Sequence, residues 1–442
     1  MNAKRTRQLV ICVAVALIVR RACLIAFPTP GLTDDSTQYD AIARNLAAGH
    51  GFSESAAPPY VPTMHREPLY PVFISIFYRL GLSLSAVYVT QALLGTGVVL
   101  VIYLLAREVF VDDWVALLAA LLVACYPVLA ARSVYLLTES LFTFLITLGV
   151  YLFYLGKRGN FWLAYLGAGL IFGLATLCRS IALLLVPFLG GLLLIEWALR
   201  RPFPRWGIEW GKAMLLLLVA LLVIAPWILR NQVVMGRATL TLRLGELLWS
   251  RAVNLPDDAL THGEALQVAN HETARLVLDE GMTTVEADQV LLRDARRRIM
   301  RYPLQYLGQN LKAIRVLWIT SNSALFGVSG TFSDYLAQGD YVMVATKALL
   351  IAAHLGLLVL MLVGIVFERR TWFRWWPLLA PVAYITLVHS FLFCLPRFVE
   401  PVLPLVLMFS SVGVVGLVHR VRQGCCPSLR IDCKQRVEAF KR

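Results

Sequence analysis

The sequence predicts an all-α polytopic membrane protein of about ten transmembrane helices. Three observations point there. Of 442 residues, 59% are hydrophobic and only 15% charged, whereas a soluble domain carries about 45–50% apolar and about 25% charged residues. A disordered chain, a fibrous protein and an ordinary soluble enzyme are thereby excluded. Apolar runs of roughly the 20 residues that cross a bilayer core begin near Leu9, Ala86, Trp114, Val134, Phe161, Ile181, Ala213, Val342, Trp375 and Phe398. Finally, the basic residues collect on alternate connections.

Those connections follow the second, fourth, sixth and eighth spans and carry Arg107; Lys157 and Arg158; Arg200, Arg201 and Arg205; and Arg369, Arg370 and Arg374. The termini are basic too, with Lys4, Arg5 and Arg7 at the start and Arg420 to Arg442 at the end. Connections on the other side hold little beyond Arg132, Arg179 and Arg397. Positive loops stay inside, so both termini are expected to be cytoplasmic, and much of the net charge of +14 is orientation signal rather than a nucleic-acid patch. Arg20 and Arg21 interrupt the first span and no A-x-A site follows, so it is read as an anchor rather than a cleaved signal.

The chain then divides into an N-terminal transmembrane module, 1–230, with a first external loop at 28–68; an external helical segment, 231–340; C-terminal transmembrane helices, 341–418; and a basic cytoplasmic tail, 419–442. Cys12, Cys23, Cys125, Cys178 and Cys394 fall in or beside spans, where cysteine acts as a small hydrophobe. The spacing of Cys425, Cys426 and Cys433 is not that of a zinc site.

In the first external loop Pro28, Pro30 and Gly31 end the first span. Tyr39, Ile42, Ala43 and Leu46 then recur at i, i+3, i+4 and i+7 and predict a short amphipathic helix at the membrane interface, ended by Gly49 or Gly51. Asp35 and Gln38 have the spacing of a capping box at its start. Asp35 has two compatible readings there, as the helix cap and as a general base above the bilayer. His65, Arg66 and Glu67 precede an apolar stretch broken by Pro68 and Pro71. Arg66 reads equally as an interfacial anchor and as a phosphate clamp, for which its planar fork is suited.

Ionisable residues within spans are costly and mark pairs or cavities. Arg20 and Arg21 point about 100° apart on a helix, so one can snorkel while the other faces protein. Glu139 starts the fourth span, either as a helix-start carboxylate favoured by the dipole or as a second acid across the same cavity. Arg179, Arg397 and Glu400 occupy the outer lips of later spans. In the second external segment, Thr283 and Glu286 predict a capping box opening a helix to about Met300. Arg293, Arg296, Arg297, Arg298 and Arg301 crowd the end of that helix, and Gly327 to Gly339 reads as a flexible loop over the site. His262 and His271 lack metal-ligand context.

These pieces occur in a telling order: Asp35 with Tyr39, Ile42, Ala43, Arg44, Asn45 and Leu46; Gly49, Gly51 and Phe52; Arg66, Pro68 and Pro71; Tyr126-Pro127, then Thr138-Glu139; Gly173 and Arg179; Ala225-Pro226-Trp227 with Arg230-Asn231; and Leu395-Pro396-Arg397-Phe398 with Pro401 and Pro404. In this order the chain resembles the GT-C glycosyltransferases, in the bacterial branch related to dolichyl-phosphate-mannose protein mannosyltransferases and the lipid A aminoarabinose transferase. The resemblance implies a GT-C-like fold, a polyprenyl-phosphate sugar donor and a catalytic aspartate in the first external loop. The family's tyrosine lies four residues after that aspartate, so Tyr39 selects Asp35. The family's usual Asp-Glu pair is replaced by Asp34-Asp35-Ser36, which leaves Asp34 open as the alternative. Arg66 matches a position that contacts the donor phosphate, and Glu139 an acidic position facing the same cavity.

Chemistry agrees with that constellation. A glycosyl phosphate already has a good leaving group and needs no acid to protonate it, unlike a glycoside under hydrolysis. It needs positive charge on the departing phosphate, from Arg66 with Arg20, Arg397 and Arg179 as further candidates. It also needs one base, Asp35, for the acceptor hydroxyl, and in-line attack inverts the anomeric centre. Some relatives use a divalent metal, but no ligand spacing for one appears, so no metal is assigned. The expectation is a polyprenyl-phosphate-sugar-dependent hexosyl- or pentosyltransferase of the bacterial inner membrane, acting on an extracytoplasmic acceptor. A flippase of lipid-linked saccharide would instead line a path through the bundle with charges. An O-antigen ligase or polymerase would rely on arginine and histidine.

Overall fold

The computed structural model describes residues 3–26, 32, 34–159, 161–200, 206–257, 259–319, 323–328 and 330–425. Among these there is no strand, only an isolated bridge between Ser53 and Pro62. Most of the tail read as 419–442 lies outside the described residues.

The bundle is built from α1 (Ala3–Ala26), α2 (Asp34–Ala48), α3 (Leu69–Arg79), α4 (Leu84–Phe110), α5 (Asp113–Cys125), α6 (Pro127–Ala131), α7 (Glu139–Gly159), α8 (Trp162–Cys178), α9 (Leu185–Arg200) and α10 (Trp206–Met235). A set of shorter helices follows: α11 (Leu244–Ala252), α12 (His262–Leu278), α13 (Thr284–Arg301), α14 (Pro303–Ile319) and α15 (Phe332–Ala337). The chain returns to the bundle in α16 (Tyr341–Glu368), α17 (Trp372–Phe391) and α18 (Leu403–Cys425).

Seven helical stretches among the described residues are long and apolar enough to cross a bilayer, and the pair α5 and α6, bent by 55°, makes an eighth. One of the seven, Tyr341–Phe391, contains both α16 and α17, and α8 is a shorter apolar helix. Each of the ten apolar runs thus coincides with an apolar helix. Burial ranks them: the α18 span is 72% buried and that of α16–α17 only 11%, so α18 is central and α16 faces outward.

Local chemistry sets the turns. Between α4 and α5 the chain reverses at Val111, which takes φ 56°, and the Asp112 carboxylate caps α5 by accepting from the Trp114 N–H at 2.8 Å. The stretch after Pro68 differs from expectation. Rather than breaking the chain, Pro68 and Pro71 open α3, where a proline costs no helical hydrogen bond. At 11 residues it is too short to span and packs on α2 instead.

The shorter helices form a cap over one end. Trp249, Ala269, Leu276, Ala287, Leu291 and Ala295 make its own small core. Thr283 caps α13 in the expected box with Glu286. The expected flexible loop from Gly327 to Gly339 instead contains α15, fixed by a capping box between Thr331 and Asp334. The first loop is tied to the segment leading into the cap by Leu242 N–H donating to Met64 O at 3.1 Å and to α10 by Arg230 Nη1 donating to Thr63 O at 2.9 Å.

Candidate active site

At the capped end, α2 buries Tyr39, Ile42 and Ala43, which leaves Asp35 and Gln38 facing the strap that leads into α3. Arg66 meets both: Nη2 donates to Asp35 Oδ1 at 2.5 Å and Nε donates to Gln38 Oε1 at 2.6 Å. Its guanidinium lies 5.1 Å above the Tyr39 ring. The expected Asp35–Gln38 capping box is therefore not what these side chains make. The helix already includes Asp34, so Asp35 lies inside its first turn, and the two are drawn to one guanidinium in a charge-assisted pairing. Asp34 opens α2, and its side chain lies outside the described residues.

The other half of the site comes from far along the chain. Arg397, at the start of the 3₁₀ turn Pro396–Val402, donates from Nη2 to Asp35 Oδ2 at 2.5 Å. Its Nε lies 3.7 Å from Glu139 Oε1, which also accepts from Arg179 Nη1 at 3.3 Å. Two carboxylates are thus shared among three guanidiniums, with Arg397 touching both. The Phe398 ring lies under Arg179 and Arg397, at 4.8 and 5.7 Å. Exposure rises from 2% for the Glu139 side chain to 23% for Asp35 and 26% for Arg397. Glu139 is the floor and Asp35 the mouth.

Burial pushes the Asp35 carboxyl up, but the Arg66 and Arg397 guanidiniums more than offset that and hold it well below the usual carboxylate range. Asp35 is anionic, fully engaged, and a weak base while both arginines hold it.

Glu67, next to Arg66, accepts from the Ser180 N–H at 2.8 Å and so pins the turn that presents Arg179. Arg20 does not join the Asp35 cluster. It is 2% exposed, with Nη1 donating to Ala16 O at 3.4 Å, whereas Arg21 points outward. Arg132 and Glu400 stand far apart in the chain, 268 residues from one another. They form a buried bidentate pair, Arg132 Nε donating to Glu400 Oε2 at 2.7 Å and Nη2 to Oε1. The only signal for it in the sequence is that each charge stands in an apolar stretch. No three His, Cys, Asp or Glu side chains come together among the described residues. Asp35, flanked by two guanidiniums, does not fit a divalent cation.

Residues 62–229 match the family described as dolichyl-phosphate-mannose-protein mannosyltransferase. An undecaprenyl phosphate-alpha-4-amino-4-deoxy-L-arabinose arabinosyl transferase of Pseudomonas paraeruginosa is 32% identical over 153 residues, 34% of this chain and 27% of its own length. Its counterpart in Pseudomonas aeruginosa is 31% identical over the same extent. These alignments span about a quarter of the relatives. The archaeal oligosaccharyltransferase from Archaeoglobus fulgidus, solved with an inhibitory peptide and a dolichol-phosphate, superposes with a TM-score of 0.53 at 13% identity over 96% of this chain and 52% of that one. The chain is thus similar to that family over residues 62–229 and shares the fold of the archaeal enzyme. Arg66, Glu139 and Arg179 fall inside the matched stretch 62–229, while Asp35 and Arg397 lie outside it.

Proposed function

We propose that this chain transfers a sugar from a polyprenyl-phosphate-linked donor to an extracytoplasmic acceptor, with Asp35 as general base and Arg66 and Arg397 as ligands of the donor phosphate. The observation that carries this reading is the Asp35 carboxylate held between those two arginines, at 2.5 Å from each. Guanidiniums that bind a carboxylate in this way also bind a phosphate oxygen. The donor phosphate takes over the arginines, and Asp35, relieved of them, regains the basicity of an ordinary carboxylate. It then accepts the proton of the acceptor hydroxyl as that oxygen bonds to the anomeric carbon. The bond from that carbon to the phosphate oxygen breaks, its electron pair leaves on the polyprenyl phosphate, and attack from the opposite face inverts the centre. Arg179 and Glu139 hold Arg397 in place.

In this reading the capped end faces away from the cytoplasm, both termini face it, and the membrane is the bacterial inner membrane. The N-terminal module 1–230 supplies Asp35, Arg66, Glu139 and Arg179, the segment 231–340 covers them, and the helices from 341 to 418 bring Arg397. Clustering of the charges at one end of the bundle supports an enzyme over a flippase. The pairing of Asp35, rather than a histidine, with the arginines supports this class over an O-antigen ligase. The relatives favour a pentose donor, 4-amino-4-deoxy-L-arabinose first.

The test is transfer from radiolabelled polyprenyl-phosphate sugars by purified protein in nanodiscs. Labelled product from the wild type, lost in Asp35→Asn and kept in Asp34→Asn, is expected. No product with any donor, together with movement of the carrier across liposomes, overturns the enzyme reading.

A further inference from the structure

A second group of charges borders Glu139. Arg20, Gln91, Gly95, Arg132, Glu139 and Glu400 line a cavity of about 20 Å³. Most of its polar lining is spent: Arg132 and Glu400 satisfy one another, and Gln91 accepts from the Tyr70 hydroxyl while donating to Ser133 O and Tyr135 O. Two buried atoms are left without a hydrogen-bond partner among the described residues, Arg20 Nε and Glu139 Oε2. An unsatisfied buried charged donor or acceptor is costly, and these two complement each other, one N–H and one lone pair. The cavity exceeds the roughly 10–15 Å³ that a water needs. An anion placed there would suit Arg20 and repel Glu139, and a cation the reverse. Water alone both accepts and donates. Gly95 makes room for the arrangement, since a Cβ there would fall 2.5 Å from Arg20 Nε.

We propose that Arg20 is a positioning residue that reaches Glu139 through a water held in this cavity, and so sets how tightly Glu139 grips Arg397 and Arg179. With Oε2 occupied from behind, Glu139 offers Oε1 alone to the two arginines, and Arg397 remains free to reach Asp35 and a phosphate. Without Arg20, the uncompensated carboxylate pulls Arg397 back. This consequence rests on the proposed donor; the water itself does not.

Two measurements on full-length protein in nanodiscs test it. In a density map fine enough to resolve ordered water, a peak within hydrogen-bond reach of both Arg20 Nε and Glu139 Oε2 is expected. A direct ion pair between the two, an ion in the cavity or a dry cavity overturns the bridge. Binding of undecaprenyl phosphate is then compared among variants. Arg20→Met weakens it about tenfold, Arg20→Lys stays within about threefold because a cation remains, and Gly95→Ala, which displaces the guanidinium without changing charge, falls between. The double variant Arg20→Met/Gly95→Ala is no worse than Arg20→Met alone, because the two act on one interaction. Wild-type affinity in Arg20→Met, or full additivity in the double variant, overturns the positioning role. If Arg20→Met does not fold, Gly95→Ala decides, and wild-type affinity there overturns it. If wild-type protein binds no undecaprenyl phosphate, the donor reading fails while the map still decides the water.

Discussion

The two ends of α7 carry opposite kinds of ionic network, about 27 Å apart at 1.5 Å per residue. At the far end Lys157 pairs with Glu196 Oε2 at 3.0 Å and also donates to Phe373 O. The Trp376 indole N–H donates to the same carboxylate at 2.7 Å, and the ring of Trp376 lies 5.6 Å from the ammonium. Lys157 and Glu196 meet directly there, and a carbonyl and an indole N–H add to the pair. At the capped end three guanidiniums divide two carboxylates, so donor capacity is left over for a ligand. Closed pairing locks helices together, whereas open pairing leaves a place for an anion.

Breaking each network gives different losses. Asp35→Asn is expected to lower transfer by about 10²–10⁴-fold, the range for removing a general base, with an earlier thermal transition as well, because Arg66 and Arg397 lose the carboxylate they share. A variant that keeps its rate removes Asp35 from the chemistry. Glu196→Gln leaves the half-buried Lys157 without its carboxylate and is expected to cost about 1–3 kcal/mol of stability, read as an earlier thermal transition, with transfer per folded molecule unchanged. A rate loss without a stability loss there would erase the contrast between the two ends. Arg66→Lys replaces a fork by a point charge and is expected to lower transfer about 10²-fold, visible in kcat/KM for the donor. Thr283→Ala, far from both networks, removes a helix cap worth about 1 kcal/mol and leaves transfer as it was.

The pH profile sharpens the comparison at smaller cost to the protein. The Asp35 pKa is depressed from its ordinary value of 3.8, so its pairing stabilises the fold above that value and is lost only as pH falls through the depressed one. Between pH 5 and 8 that contribution is fully present and constant, so this group gives stability no pH dependence there. Once the donor phosphate has taken the arginines, the carboxyl titrates higher. The acid limb of kcat, which reports the complex, is therefore expected at higher pH than that of kcat/KM, which reports the free enzyme. Coincident limbs would mean that Asp35 keeps its arginines throughout.

Much of this was legible in the sequence. Apolar runs located the long helices because bilayer thickness imposes a length that needs no partner information. Helix α2 was legible from Tyr39, Ile42, Ala43 and Leu46, and α13 from its capping box. Helix α3 was missed because its 11 residues fall below span length and its prolines read as breaks, when at a first turn they are openings. The members of the site stood out as charges near apolar stretches, but their pairing did not. Asp35 and Arg397 are 362 residues apart, Arg132 and Glu400 are 268 apart, and no periodicity relates positions so distant. Gln38 was read as a cap because local spacing cannot register an arginine arriving from another segment.

The 362-residue separation between Asp35 and Arg397 also has a meaning in time. A ribosome adding about 5–20 residues per second makes Asp35 early and reaches Arg397 roughly 20 to 70 seconds later. Through that interval Asp35 lacks its second arginine, and a chain arrested before residue 397 carries Asp35 and Arg66 but never Arg397. On the proposed function such a product would lack one ligand of the donor phosphate, so the site is completed only when nearly the whole chain has been made.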